Sequence, residues 1–187
     1  MKQYWYNDAD AGSGSQFDLV RAFQAISEFA SAPTWEDTYR ALKQHRAILL
    51  SDDGLSLVRQ VIKEHEAEDD ALSILNWRQY LTLLEDAKST TIAKAWKRFK
   101  LLQWQASSAH DAITRASTVP QLYETLRTHE AVLCTDTLKL QLLETSAQEH
   151  VARNTATAQH VEKLMRLQTE ICAYGLPIAW QRFLNTV

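Results

Sequence analysis

The chain has 187 residues, of which 45% are hydrophobic and 23% charged, and it carries a net charge of −3. A chain of that length can bury a stable core without metal or disulfide support, and its charge balance leaves no polyelectrolyte footprint for nucleic acid. Four glycines and three prolines are too few for a strand-and-turn protein, and no apolar run reaches the ~18 residues of a membrane span.

Residues 1–16 stand apart as an N-terminal tail. Tyr4, Trp5 and Tyr6 are followed by a Gly12-Ser13-Gly14-Ser15 linker. Aromatics are scarce in free tails, so this triplet reads as a docking or contact segment. Nothing before Phe17 resembles a basic-then-apolar secretion leader.

From Phe17 the apolar spacing is helical. Leu19, Ala22, Phe23, Ile26 and Phe29 recur at intervals of three and four. Pro33 interrupts, and Thr34 caps a helix with Glu36 and Asp37 in its first turn and Trp35, Tyr39 and Leu42 on its stripe. Ser51 and Asp52 open the next helix, which turns Leu55, Val58, Val61 and Ile62 inward. The acidic run Glu64–Asp70 holds a turn. Ile74, Trp77, Leu81 and Leu84 then form a one-sided stripe. A further helix starts near Ser89-Thr90-Thr91, carries Trp96 and Phe99, and runs on through Trp104 toward Ile113.

The second half follows the same plan. Thr118 caps a helix with Pro120 in its first turn, and Leu122, Tyr123 and Leu126 line its stripe. Thr135-Asp136 opens the next helix. A long helix then runs from about Thr155 to Tyr174, where Gly175 ends it and Pro177 begins the last short one. Shifting the sequence by 84 positions aligns the halves without a gap. It pairs Thr34 with Thr118, Tyr39 with Tyr123, His45 with His129, Asp52 with Asp136, Trp96 with Trp180, Arg98 with Arg182 and Phe99 with Phe183. The shared residues are small, apolar or capping, as a common packing scheme requires. The expected fold is all-α: a TPR-like, α-solenoid-like repeat of two units, 17–100 and 101–187, with about four helices each. Trp96, Phe99, Trp180 and Phe183 are the expected core aromatics. The second copy reaches the last residue, which reads as a complete two-unit object.

Each copy carries an aromatic or apolar helix opener, then leucine, histidine and a short apolar pair: Trp35, Leu42, His45 and Ile48-Leu49, then Val119, Leu126, His129 and Val132-Leu133. Each closes on Ala-Trp-x-Arg-Phe. This resembles the degenerate TPR-like repeats found beside CHAT domains, the caspase-like peptidases of bacteria. Those repeats often show His-Pro-Glu-Leu-Leu at the turn. Here Arg46 and Glu130 replace the proline, and of the two closing positions only Gly175 keeps the glycine. The chain holds no peptidase domain, so the resemblance implies an accessory or regulatory module.

Candidate chemistry is thin. His45 and His129 fall near helix C-termini, where they can meet unsatisfied carbonyls. His65-Glu66 and His129-Glu130 lack the second histidine of a zinc helix, and no glycine-rich phosphate loop exists. Cys134 lies five residues from His129, without a third orienting group or an oxyanion turn. Both cysteines, Cys134 and Cys172, sit in apolar-rich helical patterns and are expected to be buried free thiols in a reducing cytoplasm. Lys94–Lys100 is the most basic stretch, flanked by Trp96, Phe99 and Trp104. Trp96 and Phe99 recur where the second copy is not basic, which marks them as core and argues against nucleic acid as partner. The expectation is therefore a non-enzymatic module with no catalytic residue, metal or cofactor. Its partner is a protein, with no membrane contact; a homo-oligomeric, structural role is the alternative, and nucleic-acid binding through the basic Lys94–Lys100 face is the lesser one.

Overall fold

The structure, a computed structural model, describes residues 18–185. These residues form eleven helices and no strand: α1 (Leu19–Ala30), α2 (Trp35–Gln44), α3 (Arg46–Leu49), α4 (Asp52–Ala67), α5 (Ala71–Ser89), α6 (Ile92–Arg115), α7 (Val119–Thr128), α8 (Glu130–Leu133), α9 (Asp136–Val151), α10 (Thr155–Tyr174) and α11 (Leu176–Leu184). None is long and apolar enough to cross a membrane. The tail triplet Tyr4, Trp5 and Tyr6 lies outside the described residues.

Local chemistry sets most of the boundaries. Thr34, Ser51, Thr91, Thr118 and Thr135 have extended backbone, and each side-chain oxygen accepts a hydrogen bond from an N–H three residues on. Asp69 and Arg153 take the left-handed conformation, with φ of 55° and 60°, between α4 and α5 and between α9 and α10. Gly175, with φ of 80°, breaks the chain between α10 and α11. The starts of α2 to α5 and of α7 to α10 match pairwise at 84 positions: Trp35 with Val119, Arg46 with Glu130, Asp52 with Asp136, and Ala71 with Thr155.

The helices lie in two layers. One runs α4, α5, α9, α10, and the other runs α1, α2, α6, α7, α11, with the single-turn α3 and α8 between them. Two separate hydrophobic cores result. The first gathers Phe29, Leu42, Leu49, Val58, Leu84 and Phe99 among others, and the second gathers Ile113, Leu126, Leu133, Leu138, Val161 and Ile171 among others. Helix α6 serves both, giving Ala95 and Phe99 to one core and Ala106, Ala109 and Ile113 to the other. The expected boundary between residues 100 and 101 falls inside it.

The structure departs from several expectations. The count of four helices per unit misses α3 and α8, because a backbone turn at His45 and His129 splits what reads as one helix. On α1 the buried face is Ala22, Ala25, Ile26 and Phe29, and Leu19 and Phe23 are exposed. On α5 the stripe is not one-sided: α4 and α9 flank it, so Leu75 and Gln79 are buried as well as Tyr80, Leu83 and Leu84. The cysteines are neither buried nor free. Cys134, in the turn after α8, and Cys172, on α10, are exposed and form a disulfide with Cα atoms 5.4 Å apart. Helical periodicity cannot register that pairing, because Cys134 sits past the helix end. The expected cytoplasmic location therefore loses its premise of two free thiols.

Candidate interaction surface

Helices α2 and α6 carry the recurring aromatics. Thr91 caps α6 by accepting from the Lys94 N–H, which sets the register that aims Trp96 and Phe99 at α2. Trp96 stacks on Tyr39 at 5.0 Å and on Phe99 at 5.5 Å, and Trp35 meets Phe99 edge-on at 5.1 Å. Like contacts occur 84 residues on, with Tyr123 against Trp180 at 5.1 Å and Trp180 against Phe183 at 5.2 Å. Phe99 is buried, whereas Trp96, Trp180 and Phe183 are half-buried and pack against the two cores from outside. These aromatics are wedges between surface helices.

Outside the wedge lies a mixed surface. Lys100 Nζ donates to Glu36 Oε1 at 3.2 Å and ties α6 to α2, and this bond holds the Glu36 carboxyl below the usual carboxylate range. The Lys43 ammonium sits 4.9 Å from the centre of the Tyr39 ring. Glu36, Tyr39, Arg40, Lys43 and Gln44 line a shallow groove along α2. On the adjoining face of α6, Trp104 is 68% exposed and Leu101 52% exposed. Lys94 and Lys97 share that face and have no ion-pair partner among the described residues. In the sequence Trp104 reads only as a flank of the basic stretch. The signal that finds it is its position: Ala95, Phe99, Ala106, Ala109 and Ile113 form the buried stripe of α6, and residues 101 and 104 lie off it.

Three histidines, His45, His110 and His150, tie neighbouring helices together. His45 and His129 do stand at the C-caps of α2 and α7. The His45 side chain reaches Glu28 Oε2 on α1 at 2.6 Å, and hydrogen bonds from Gln24 and His45 keep the Glu28 carboxyl low. His110 pairs with the Thr145 hydroxyl at 2.9 Å, and His150 with Glu162 at 2.8 Å. Cys134, once paired with Cys172, is no thiol for His129 to activate. Among the described residues no group of three or more His, Cys, Asp or Glu could hold a metal ion.

The contact between the two cores contains a polar node. Gln79 Oε1, on α5, accepts from Gln103 Nε2 at 2.7 Å and from Thr137 Oγ1 at 2.9 Å. Gln79 and Thr137 are buried, so this three-way bond satisfies groups that would otherwise be costly to desolvate. Elsewhere, matched positions exchange chemistry. Arg78 bonds Glu66 at 2.7 Å, and the positions 84 residues on hold Glu162 and His150, the same clasp with donor and acceptor exchanged. The positions 84 residues before Cys134 and Cys172 hold Leu50 and Lys88, and Lys88 Nζ ties to Asp52 Oδ1 at 2.6 Å. Such exchange leaves packing in place while the surface changes. Compared with protein-family models, curated proteins and solved structures, the chain matches none, so its surface chemistry has to carry the functional reading.

Proposed function

We propose that the chain is a tandem pair of TPR-like helical units that acts as a non-enzymatic protein-interaction module, with α6 and the adjoining edge of α2 as its binding face. The observation that carries this is Trp104: a tryptophan 68% exposed, on the same face as Leu101 and as Lys94 and Lys97, which have no ion-pair partner among the described residues. Tryptophan left in water is unfavourable, and it is enriched among the residues that dominate binding energy. The cations beside it favour a partner segment that is apolar and acidic. The matching helix boundaries and matching caps at 84 positions support the tandem arrangement. The resemblance to repeats beside CHAT domains supports an accessory or regulatory role next to a caspase-like peptidase, and with it a bacterial source.

The test compares captured proteins. Wild-type chain and the Trp104→Ala variant are used as bait in lysate of the native source, and the captured proteins are identified by mass spectrometry. A partner held by wild type and lost from the variant supports the reading. Identical capture by both refutes the assigned face. Trp104 and the lysines could also offer a platform for single-stranded nucleic acid, though Trp96 and Phe99 are turned to α2 and take no part. An oligonucleotide titration of the same two proteins decides that alternative.

A further inference from the structure

The junction between the two units has open counterparts at both ends of the described chain, and their chemistry is complementary. Inside the molecule, Gln79 of α5 meets Thr137 of α9 in a buried hydrogen bond. The position matching Thr137 in the first unit is Asp53 on α4, and the position matching Gln79 in the second is Lys163 on α10. Both are exposed, and neither has an ion-pair partner among the described residues. The flanking positions agree. Leu75 and Leu140 are buried at the internal junction, and their counterparts at the open ends, Gln159 and Ser56, are both exposed and polar. Gln103, which completes the internal bond, is matched by Leu19, left 54% exposed on α1.

We infer that the occupant of these faces is a second copy of this chain, stacked head to tail so that α10 of one copy lies against α4 of the next. Repeating the step that relates the first unit to the second places Lys163 of one copy opposite Asp53 of its neighbour. A lysine against an aspartate is an attractive pair, whereas two like ends would repel. The contact is heterologous, so it propagates into open chains or closes into a ring instead of stopping at a symmetric dimer. With polar Gln159 and Ser56 in place of leucines it is weaker than the internal junction and sensitive to salt. This inference rests on the tandem arrangement proposed above.

Charge reversal tests it without touching the core. The variants Lys163→Glu and Asp53→Lys each place like charges across the junction. A 1:1 mixture of the two restores opposite charges wherever the variants alternate. The introduced glutamate of one then faces the introduced lysine of the other, and the unaltered Lys163 faces the unaltered Asp53. Sedimentation velocity at low salt is expected to show concentration-dependent association of wild type. That association should be lost in each variant alone, recovered in the mixture and abolished by high salt. Wild type of monomer mass at every concentration overturns the inference. So does association that survives either single reversal, or a mixture that stays monomeric. Trp104→Ala should still associate, and the charge-reversed chains should still capture the Trp104-dependent partner, so failure of the stack and failure of the binding face are read separately.

Discussion

Opening the Cys134–Cys172 disulfide removes a crosslink between residues 38 positions apart, which closes a segment spanning α9 and most of α10. In the chain-entropy treatment a loop of that size restricts the unfolded ensemble by about 4 kcal/mol at 25 °C. In a chain of this length each kcal/mol moves the melting temperature by about 2–4 °C, so the expected fall is roughly 10 °C. The loss should be local. The positions 84 residues earlier hold Leu50 and Lys88, with a surface salt bridge from Lys88 to Asp52, and the first half has no cysteine to crosslink. The assay is a thermal melt of wild type with and without reductant, beside the Cys134→Ser/Cys172→Ser double variant. Hydrogen exchange then locates the loosened region, expected in α8, α9 and α10 and not in α3, α4 and α5. Thiol titration of the native, unreduced protein is the control. Two reactive thiols there, or a reduced protein that melts with the oxidised one, would refute the reasoning.

Two further perturbations follow from particular contacts. Gly54 lies in the first turn of α4, where an added Cβ would collide with the Ile48 carbonyl oxygen at the end of α3. Gly54→Ala should therefore lower the melting temperature, although alanine in a helix normally stabilises by about 0.5–1 kcal/mol; an unchanged or raised melt would show that α3 yields freely. Acid should weaken the fold through surface carboxylates held low, Asp52 by its hydrogen bond from Lys88 and Asp70 by hydrogen bonds from Ser73. Their folded-state pKa values lie below the unfolded ones, so their stabilisation is complete above the ordinary carboxylate range and is lost as pH falls through the lowered values. Asp52→Asn should make the melting temperature less dependent on pH between neutrality and that lower range, and a variant that tracks wild type throughout would contradict the assignment.

Caps and breakers are the most legible part of the sequence. Thr34, Ser51, Thr118 and Thr135 are readable as helix starts because a short polar side chain before an apolar period has one economical use, and each makes that bond. Long helices are readable because their apolar period is sustained over several turns. Faces are less so, because periodicity reports that a helix is amphipathic and not how many neighbours it has. Helix α5 has α4 on one side and α9 on the other, so its buried surface is wider than any single stripe. The short α3 and α8 fall below the length at which a period can be seen. The disulfide is illegible because it depends on the approach of residues 38 positions apart. Trp104 is easily overlooked for a different reason: it adjoins the basic stretch and its aromatics, and only its place off the buried stripe of α6 sets it apart.

Helix α6 has a mechanical consequence. At 24 residues it is about 36 Å long, and it is anchored at its first half in one core and at its second half in the other. Trp104 stands near its midpoint. A load applied there is shared by both ends, as by a beam resting on two supports, so a partner that pulls or twists at Trp104 strains both cores at once. Neither core can yield under such a load without carrying its half of the beam, and the other core, with it.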